Sequence, residues 1–284
     1  MWRGVLLIVV IGVLVLTNGN LASTAAEPDT ARWRVAKPEV LVIAHRGDSK
    51  VAPENTLPAF SSAVKAKADL VELDYFHTAD GVPIVIHDKT LDRTTNASKL
   101  WGGDKIKVES KTLAELAHLD AGGWFSSQFA ATRLPTLNDS LDLIQSGSMT
   151  LIERKGGDPS TCIQLLTDKK LLDRVVVQSF DWDYLAGCRK LSGDVVLAAL
   201  GEKELSPARL DKIAATGATI VAWNERDTTA DSIAAIHARG WKAWVYTVDS
   251  PARVAQLVAA KIDGIITNSP VQTRSAIASV KTPH

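Results

Sequence analysis

The sequence has few cysteines and no excess of charge of either sign. Only Cys162 and Cys188 occur in 284 residues, so at most one disulfide is possible, and their spacing matches no metal-binding or redox motif. Both lie on predicted helices, either as buried core residues, which we favour, or as one bridge. Lysine plus arginine and aspartate plus glutamate number 32 each, which excludes a basic surface for nucleic acid or a polybasic membrane patch.

Long hydrophobic runs are also missing, apart from one at the N-terminus. Residues 5–16 read VLLIVVIGVLVL, preceded by Arg3 and followed by TNGNLASTAA. This run is short for a bilayer span and has the plan of a secretory signal. We predict a signal peptide over residues 1–26, an N-terminal extension over 27–39, and a periplasmic or secreted protein without a stable membrane span. An uncleaved anchor is less favoured, since no stop-transfer pattern follows.

From residue 40 onward, short apolar runs rich in valine and isoleucine alternate with helical patterns. The strand candidates are 40–44, 69–76, 83–87, 149–155, 174–180, 194–200, 218–223, 242–248 and 263–267. Continuous apolar strands separated by helices indicate a parallel sheet that is buried on both faces. This many repeats favour a closed (β/α)8 TIM barrel over an open sheet, as one domain over residues 40–280.

Nine candidate strands are one more than a (β/α)8 barrel needs, and a hairpin at the barrel rim explains the extra one. Asp80-Gly81 separates the second and third candidates, and Asp-Gly between strands is a strong hairpin signal. The third strand is therefore predicted to run antiparallel to the second, which leaves eight strands for the barrel. A two-residue turn would place Asp74 opposite His87.

Residues 88–134 break the strand–helix rhythm and are predicted to form a small insertion subdomain. The segment holds four large aromatic residues: Trp101, Trp124, Phe125 and Phe129. They either line a pocket or pack the insertion, and we expect packing for at least half of them.

Charged residues gather where the predicted strands end, which is where barrel enzymes place their sites. Glu72 and Asp74 are two residues apart on one strand, as are Glu153 and Lys155 on another, so each pair shares a face. Together with Arg46, these side chains form either a satisfied ion-pair network or a metal site. Glu72, Asp74 and Glu153 without nearby thiolates suit a hard divalent cation, Mg²⁺ or Ca²⁺.

Two histidines complete this set of side chains. His45 and His87 each follow a predicted strand and each adjoins a charged residue. Imidazole titrates near neutral pH, so one ring can accept a proton while the other donates one. A divalent cation, Arg46 and Lys155 would together bind a phosphate.

The same residues carry a family resemblance. The matching segments, in order, are HRGDSKVAPENT, VELD, DGVPIVIHD with TLDRTT, LDAGGWF, PTL, IERK, QSF, YTVD and DGIITNSP. Over residues 41–271 the chain resembles the glycerophosphodiester phosphodiesterases, TIM barrels of the phospholipase C-like group. The resemblance implies hydrolysis of substrates such as glycerophosphocholine to glycerol 3-phosphate and an alcohol.

The resemblance also implies roles for individual residues. His45 and His87 become the acid–base pair, Arg46 and Lys155 the phosphate contacts, and the three acids the metal ligands. Tyr246 and Trp124 are assigned as further substrate contacts at the rim. Tyr246 before TVD, where the family often has tryptophan, and Thr267-Asn268, where it often has Thr-Asp, depart from the pattern near the leaving-group pocket.

Two other functions stay open from the sequence. One is the same chemistry on a different substrate, as in a lysophospholipase D or a sphingomyelinase D-like enzyme, for which the insertion aromatics could supply an apolar groove. The other is an exported protein that binds phosphodiesters without cleaving them, against which the His45/His87 pair argues. In each case the expected partner is a small molecule and not a nucleic acid.

Overall fold

A closed sheet of parallel strands forms the centre of the computed structural model, which describes Met1 and residues 30–281. Its strands are β1 (Leu41–Ala44), β2 (Leu70–His77), β3 (Pro83–Val85), β4 (Met149–Arg154), β5 (Val175–Ser179), β6 (Val196–Gly201), β7 (Ile220–Asn224), β8 (Lys242–Tyr246) and β9 (Gly264–Thr267). Their spatial order is β1-β9-β8-β7-β6-β5-β4-β2-β3, and β1 also pairs with β2. Eight parallel strands therefore close into a TIM barrel, which confirms the predicted fold.

Helices connect most of the strands. They are α1 (Ala31–Ala36), α2 (Leu57–Lys65), α3 (Ala97–Trp101), α4 (Leu113–Leu116), α5 (Leu137–Ile144), α6 (Pro159–Asp168), α7 (Trp182–Leu191), α8 (Pro207–Ala214), α9 (Ala230–His237), α10 (Pro251–Ala259) and α11 (Pro270–Lys281). Several begin at a residue whose side-chain oxygen accepts a first-turn N–H, such as Thr136, Asp158 and Ser250, which is the usual local signal for a helix start.

The barrel interior is apolar at one end and charged at the other. Leu70, Leu151 and Val176 belong to the cluster of buried residues inside the barrel. Two positions further along the same strands lie Glu72, Glu153 and Gln178. Because side chains two residues apart share one face of a strand, these polar groups form the next layer, toward the C-terminal ends of the strands.

The N-terminal end of the barrel is covered by α1. Its Ala31 and Val35 are buried in the same interior cluster as the strand residues. The helix lies within the predicted extension 27–39. The predicted signal peptide lies outside the described residues, Met1 apart. No helix among residues 30–281 is both long enough and apolar enough to cross a membrane.

The hairpin of β2 and β3 forms as predicted, but with a different register. Its loop contains three residues, Ala79–Gly81, and closes with a hydrogen bond of 3.0 Å from Thr78 N to Val82 O. Gly81 has a φ of +80°, which is typical of three-residue hairpin loops. The backbone N–H of Ile86 donates to Asp74 O at 3.0 Å. The expected pairing of Asp74 with His87 is therefore wrong by one residue, and His87 follows the end of the ladder.

The insertion has its own small core. Its buried members include Leu91, Val108 and Leu116, and Trp101 packs against them. The other three aromatics contact one another edge to face, with ring centroids 5.7 Å apart for Trp124–Phe125 and for Phe125–Phe129. Packing thus accounts for most of the aromatic residues that the sequence placed there.

The two cysteines are buried free thiols on α6 and α7. Their interpretation as core residues is therefore confirmed, and the alternative of a disulfide is wrong for this structure.

Candidate active site

Three carboxylates lie together at the C-terminal end of the barrel. Asp74 on β2 is in register with Glu153 on β4, and Glu72 precedes Asp74 by two residues. One oxygen atom of each lies within 4.8 Å of the others. All three side chains are buried. The strand pairing therefore brings together the acids that the sequence proposed as metal ligands.

Asp74 is the most strongly held of the three. Asn55 Nδ2 donates to its Oδ2 at 2.9 Å, Arg46 Nε lies 3.3 Å from the same oxygen, and Lys155 Nζ lies 3.3 Å from Oδ1. Lys155 also forms an ion pair with Glu153. Burial opposes ionisation of Asp74, but the charges of Lys155 and Arg46 outweigh it and lower its pKa.

Burial outweighs the positive charge around the other two acids. Burial, and then the charges of the neighbouring carboxylates, raise the pKa of Glu72 well above its usual value. Burial and the charge of Asp74 raise the pKa of Glu153 to about 7. Gln178 Oε1 nearby is buried and accepts no hydrogen bond from the described residues. Convergent oxygen donors of this kind fit a hard divalent cation, so the cluster can hold a metal ion.

The loop after β1 positions Arg46 against these acids. Arg46 adopts a φ of +56°, and its backbone N–H donates to Glu72 Oε2 at 2.8 Å. Its NH1 donates to Glu54 Oε1 at 2.8 Å. Gly47 follows with a φ of +84°, and a Cβ there would lie 2.7 Å from the carbonyl carbon of Ala59. The loop therefore requires glycine next to the arginine that it presents.

His45 is held by a polar partner from the far end of the chain. Its Nδ1 lies 2.7 Å from Asn268 Oδ1, while Asn268 Nδ2 donates to Asp249 Oδ2 at 2.7 Å. The amide oxygen is thereby the acceptor, so Nδ1 of His45 carries the proton and Nε2 is a free base. Burial and then the charge of Arg46 lower the pKa of His45 to about 4.

His87 has a carboxylate as its partner. Its Nδ1 lies 2.7 Å from Asp88 Oδ1, and Asp88 in turn binds Arg93. Burial lowers the pKa of His87, against the opposing effect of the Asp74 charge. The charge of Asp74 opposes burial at both histidines and favours a higher pKa for His45 and for His87.

A cavity opens beside the acids. His45, Glu72, Glu153 and Gln178 form its polar side, and Phe180, Leu200, Tyr246 and Ile266 form its apolar side. The rings of Phe180 and Tyr246 meet edge to face at 6.0 Å, and Tyr246 OH donates to Gly201 O at 2.8 Å. Tyr246 therefore lines the apolar side of this cavity, and its contact with substrate stays a prediction.

Trp124 differs from Tyr246 in its surroundings. The described residues that line this cavity do not include Trp124. Its side chain is 42% exposed, and its indole N–H donates to Ala121 O at 2.9 Å. A contact between Trp124 and substrate therefore stays a prediction.

Sequence reasoning missed the groups that hold the histidines. Asn268 was noted only as a departure from the family pattern, and Arg93 only as part of the TLDRTT segment. Their carboxylate partners, Asp249 and Asp88, are the last residues of the YTVD and DGVPIVIHD segments. The sequence offered one signal for these contacts. Arg93 comes five residues after Asp88, close enough for its side chain to return to the same loop.

Comparisons with known proteins identify relatives of this chain. Residues 45–272 match the model of the glycerophosphoryl diester phosphodiesterase family. A glycerophosphodiester phosphodiesterase of Caldanaerobacter subterraneus subsp. tengcongensis is 33% identical, over 82% of this chain and 95% of its own. One of Bacillus subtilis is 31% identical, over 94% of this chain and 92% of its own.

A solved structure shares the fold. It is that of an Oleispira antarctica phosphodiesterase in complex with the product sn-glycerol-3-phosphate, with a TM-score of 0.77 and 26% identity, covering 84% of this chain and 96% of that one. The family match spans most of the chain and includes both histidines and all three acids. The chain therefore belongs to the glycerophosphoryl diester phosphodiesterase family and is a phosphoric diester hydrolase.

Proposed function

We propose that the protein hydrolyses glycerophosphodiesters such as glycerophosphocholine to glycerol 3-phosphate and an alcohol. The observation that carries the proposal is the cluster of three buried acids with Arg46 and Lys155 at one end of the barrel, beside His45. Arg46 and Lys155 supply the positive charge that a phosphate needs, and the relatives named above are phosphodiesterases of this substrate class.

The metal ion of this proposal is Mg²⁺ or Ca²⁺. Glu72, Asp74 and Glu153 would hold it, because carboxylate oxygens are the donors that these ions prefer. When bound, such an ion supplies Lewis acidity to a phosphate oxygen. Arg46 and Lys155, which contact Asp74, would present their remaining donors to the phosphate.

The two histidines divide the proton transfers between them. His45 has a free Nε2 and a neutral amide partner, which suits a general base that takes the proton of the glycerol 2-hydroxyl. That oxygen bonds to phosphorus as the bond to the leaving oxygen breaks. His87 is assigned as the acid that protonates the leaving alkoxide, because its hydrogen bond to the Asp88 carboxylate favours imidazolium and opposes the burial that lowers the pKa of His87. Water then opens the cyclic phosphate with the two roles exchanged.

Assays on a substrate panel test the proposed activity. We expect glycerol 3-phosphate from glycerophosphocholine and glycerophosphoethanolamine, measured with a coupled glycerol-3-phosphate dehydrogenase assay before and after chelation. Lysophosphatidylcholine is the comparison, since its long chain requires a groove beyond the short apolar side formed by Phe180 and Tyr246. Faster release of choline from lysophosphatidylcholine would instead assign a lysophospholipase D, and binding without any product would indicate a binding protein.

We also propose that the protein is exported. The apolar run at residues 5–16 and the small residues up to Ala26 support this. Expression in a secreting host followed by N-terminal sequencing should give a mature protein that begins at or next to Glu27. A chain that retains residues 5–16 after purification from the membrane fraction would contradict cleavage.

A further inference from the structure

Arg93 lies at the start of the insertion and contacts two carboxylates that belong to different parts of the site. Its Nε and NH2 donate to Asp88 at 2.6 and 3.0 Å. Its NH1 and NH2 donate to Glu54 at 2.8 Å each. Each edge of the guanidinium plane therefore makes a bidentate contact with one carboxylate. Such contacts are the strongest and most directional that an arginine forms.

Each of these carboxylates holds a residue of the proposed mechanism. Asp88 Oδ1 lies 2.7 Å from His87 Nδ1. Glu54 Oε1 accepts from Arg46 NH1 at 2.8 Å. Since Arg93 occupies both oxygens of both carboxylates, neither can rotate away from its second partner without losing a contact. Arg93 thus connects the loop of His87 to the loop of Arg46.

Stability alone does not explain this arrangement. The Arg93 side chain is 44% exposed, so solvent screens its ion pairs and limits what their bidentate geometry adds to folding. Nearly all of its donors are already engaged, so it has little capacity left to bind a phosphate itself. We infer that Arg93 is a positioning residue that holds His87 and Arg46 in fixed positions relative to each other. The inference rests on the proposed function and adds to it a residue that does not touch the substrate.

The test compares Arg93→Met with Arg133→Met. Arg133 is a second exposed arginine of the insertion, and it donates only to the backbone oxygens of His118 and Leu119. We expect Arg93→Met to lower kcat/KM on glycerophosphocholine roughly 10–100-fold, as for other residues that orient catalytic groups. Arg133→Met should stay within about twofold of wild type. Arg93→Lys should recover little, since an ammonium cannot hold two carboxylates in bidentate contact.

A second substrate separates positioning from a general structural role. A p-nitrophenyl ester of glycerol phosphate has a leaving group that needs no proton from His87. The Arg93→Met defect should therefore shrink several-fold on this ester. An Arg93→Met enzyme within about twofold of Arg133→Met on glycerophosphocholine, or an equal loss on both substrates, would overturn the inference.

A third measurement needs no turnover. The Nδ1 proton of His87 should exchange slowly in NMR spectra of wild type and Arg133→Met, and quickly in Arg93→Met. Persistence of this signal in Arg93→Met would refute the role of Arg93 even if the protein cleaved no diester. If wild type cleaved no diester, that result would count against the proposed function. The exchange rate of the His87 Nδ1 proton would still test the positioning role of Arg93.

Discussion

Replacing His87 with alanine should reduce kcat on glycerophosphocholine by about 10²–10⁴-fold, the usual contribution of one general acid or base. The barrel should stay folded, because the His87 side chain is 30% exposed and its hydrogen bond goes to Asp88 at the rim. Replacing His45 should give a loss of similar size, since it supplies the opposite proton transfer. Steady-state kinetics together with circular dichroism would measure both effects.

His237 provides a matched control for these two substitutions. Its Nε2 binds Asp263 Oδ2 at 2.7 Å, just before β9 begins, so it lies at the opposite end of the barrel from the acids. His237→Ala should keep nearly full activity, although it removes an imidazole–carboxylate pair of the same length. A His87→Ala protein that turned over substrate as fast as His237→Ala would remove His87 from the mechanism.

The strands and the three acids of this site were predictable from the sequence. The eight barrel strands were predictable because strands buried on both faces are continuous runs of apolar residues. Glu72, Asp74 and Glu153 were predictable because each interrupts such a run at a spacing that keeps it on the inner face. Charge inside an apolar register is costly unless it is paired or bound to an ion, and that cost pointed to the site.

Contacts between loops were not predictable in the same way. Asn268 lies 223 residues from His45, and no periodicity connects the two positions. The hairpin register depended on whether Ala79 belongs to the strand or to the loop, which local propensity does not decide. The bidentate contacts of Arg93 depend on the path of the whole insertion. Strands thus follow from local pattern, while the orientation of the catalytic groups follows from tertiary structure.

A second large effect is expected from Glu153 in the absence of metal. Its pKa is raised from the usual 4.5 to about 7 by burial and by the charge of Asp74. Because this pKa is higher in the folded state, ionisation of Glu153 opposes folding. The contribution of Glu153 to the free energy of unfolding is fully present below pH 4.5 and is lost as pH rises through 7. The loss for complete ionisation is about 3 kcal/mol, at 1.36 kcal/mol per pKa unit.

His45 acts in the opposite direction over part of the same range. Its pKa of about 4 lies below the usual 6.5, so its contribution to stability grows as pH rises from about 4 to 6.5. The pH dependence of wild type alone would therefore mix the two groups. Glu153→Gln removes the ionisation of Glu153 and keeps His45, so the difference between the two proteins reports the ionisation of Glu153 together with its effect on the pKa of Glu72.

In chelator, Glu153→Gln should gain stability relative to wild type as pH rises from 5 to 8, by an amount approaching 3 kcal/mol. Urea unfolding at several pH values would measure this gain. Added Mg²⁺ or Ca²⁺ should reverse the order at pH 8, because wild type offers three carboxylates to the ion and the variant offers two, and binding to the folded state stabilises it. A stability difference that did not change with pH, or equal stabilisation of both proteins by metal, would contradict a metal site at these acids.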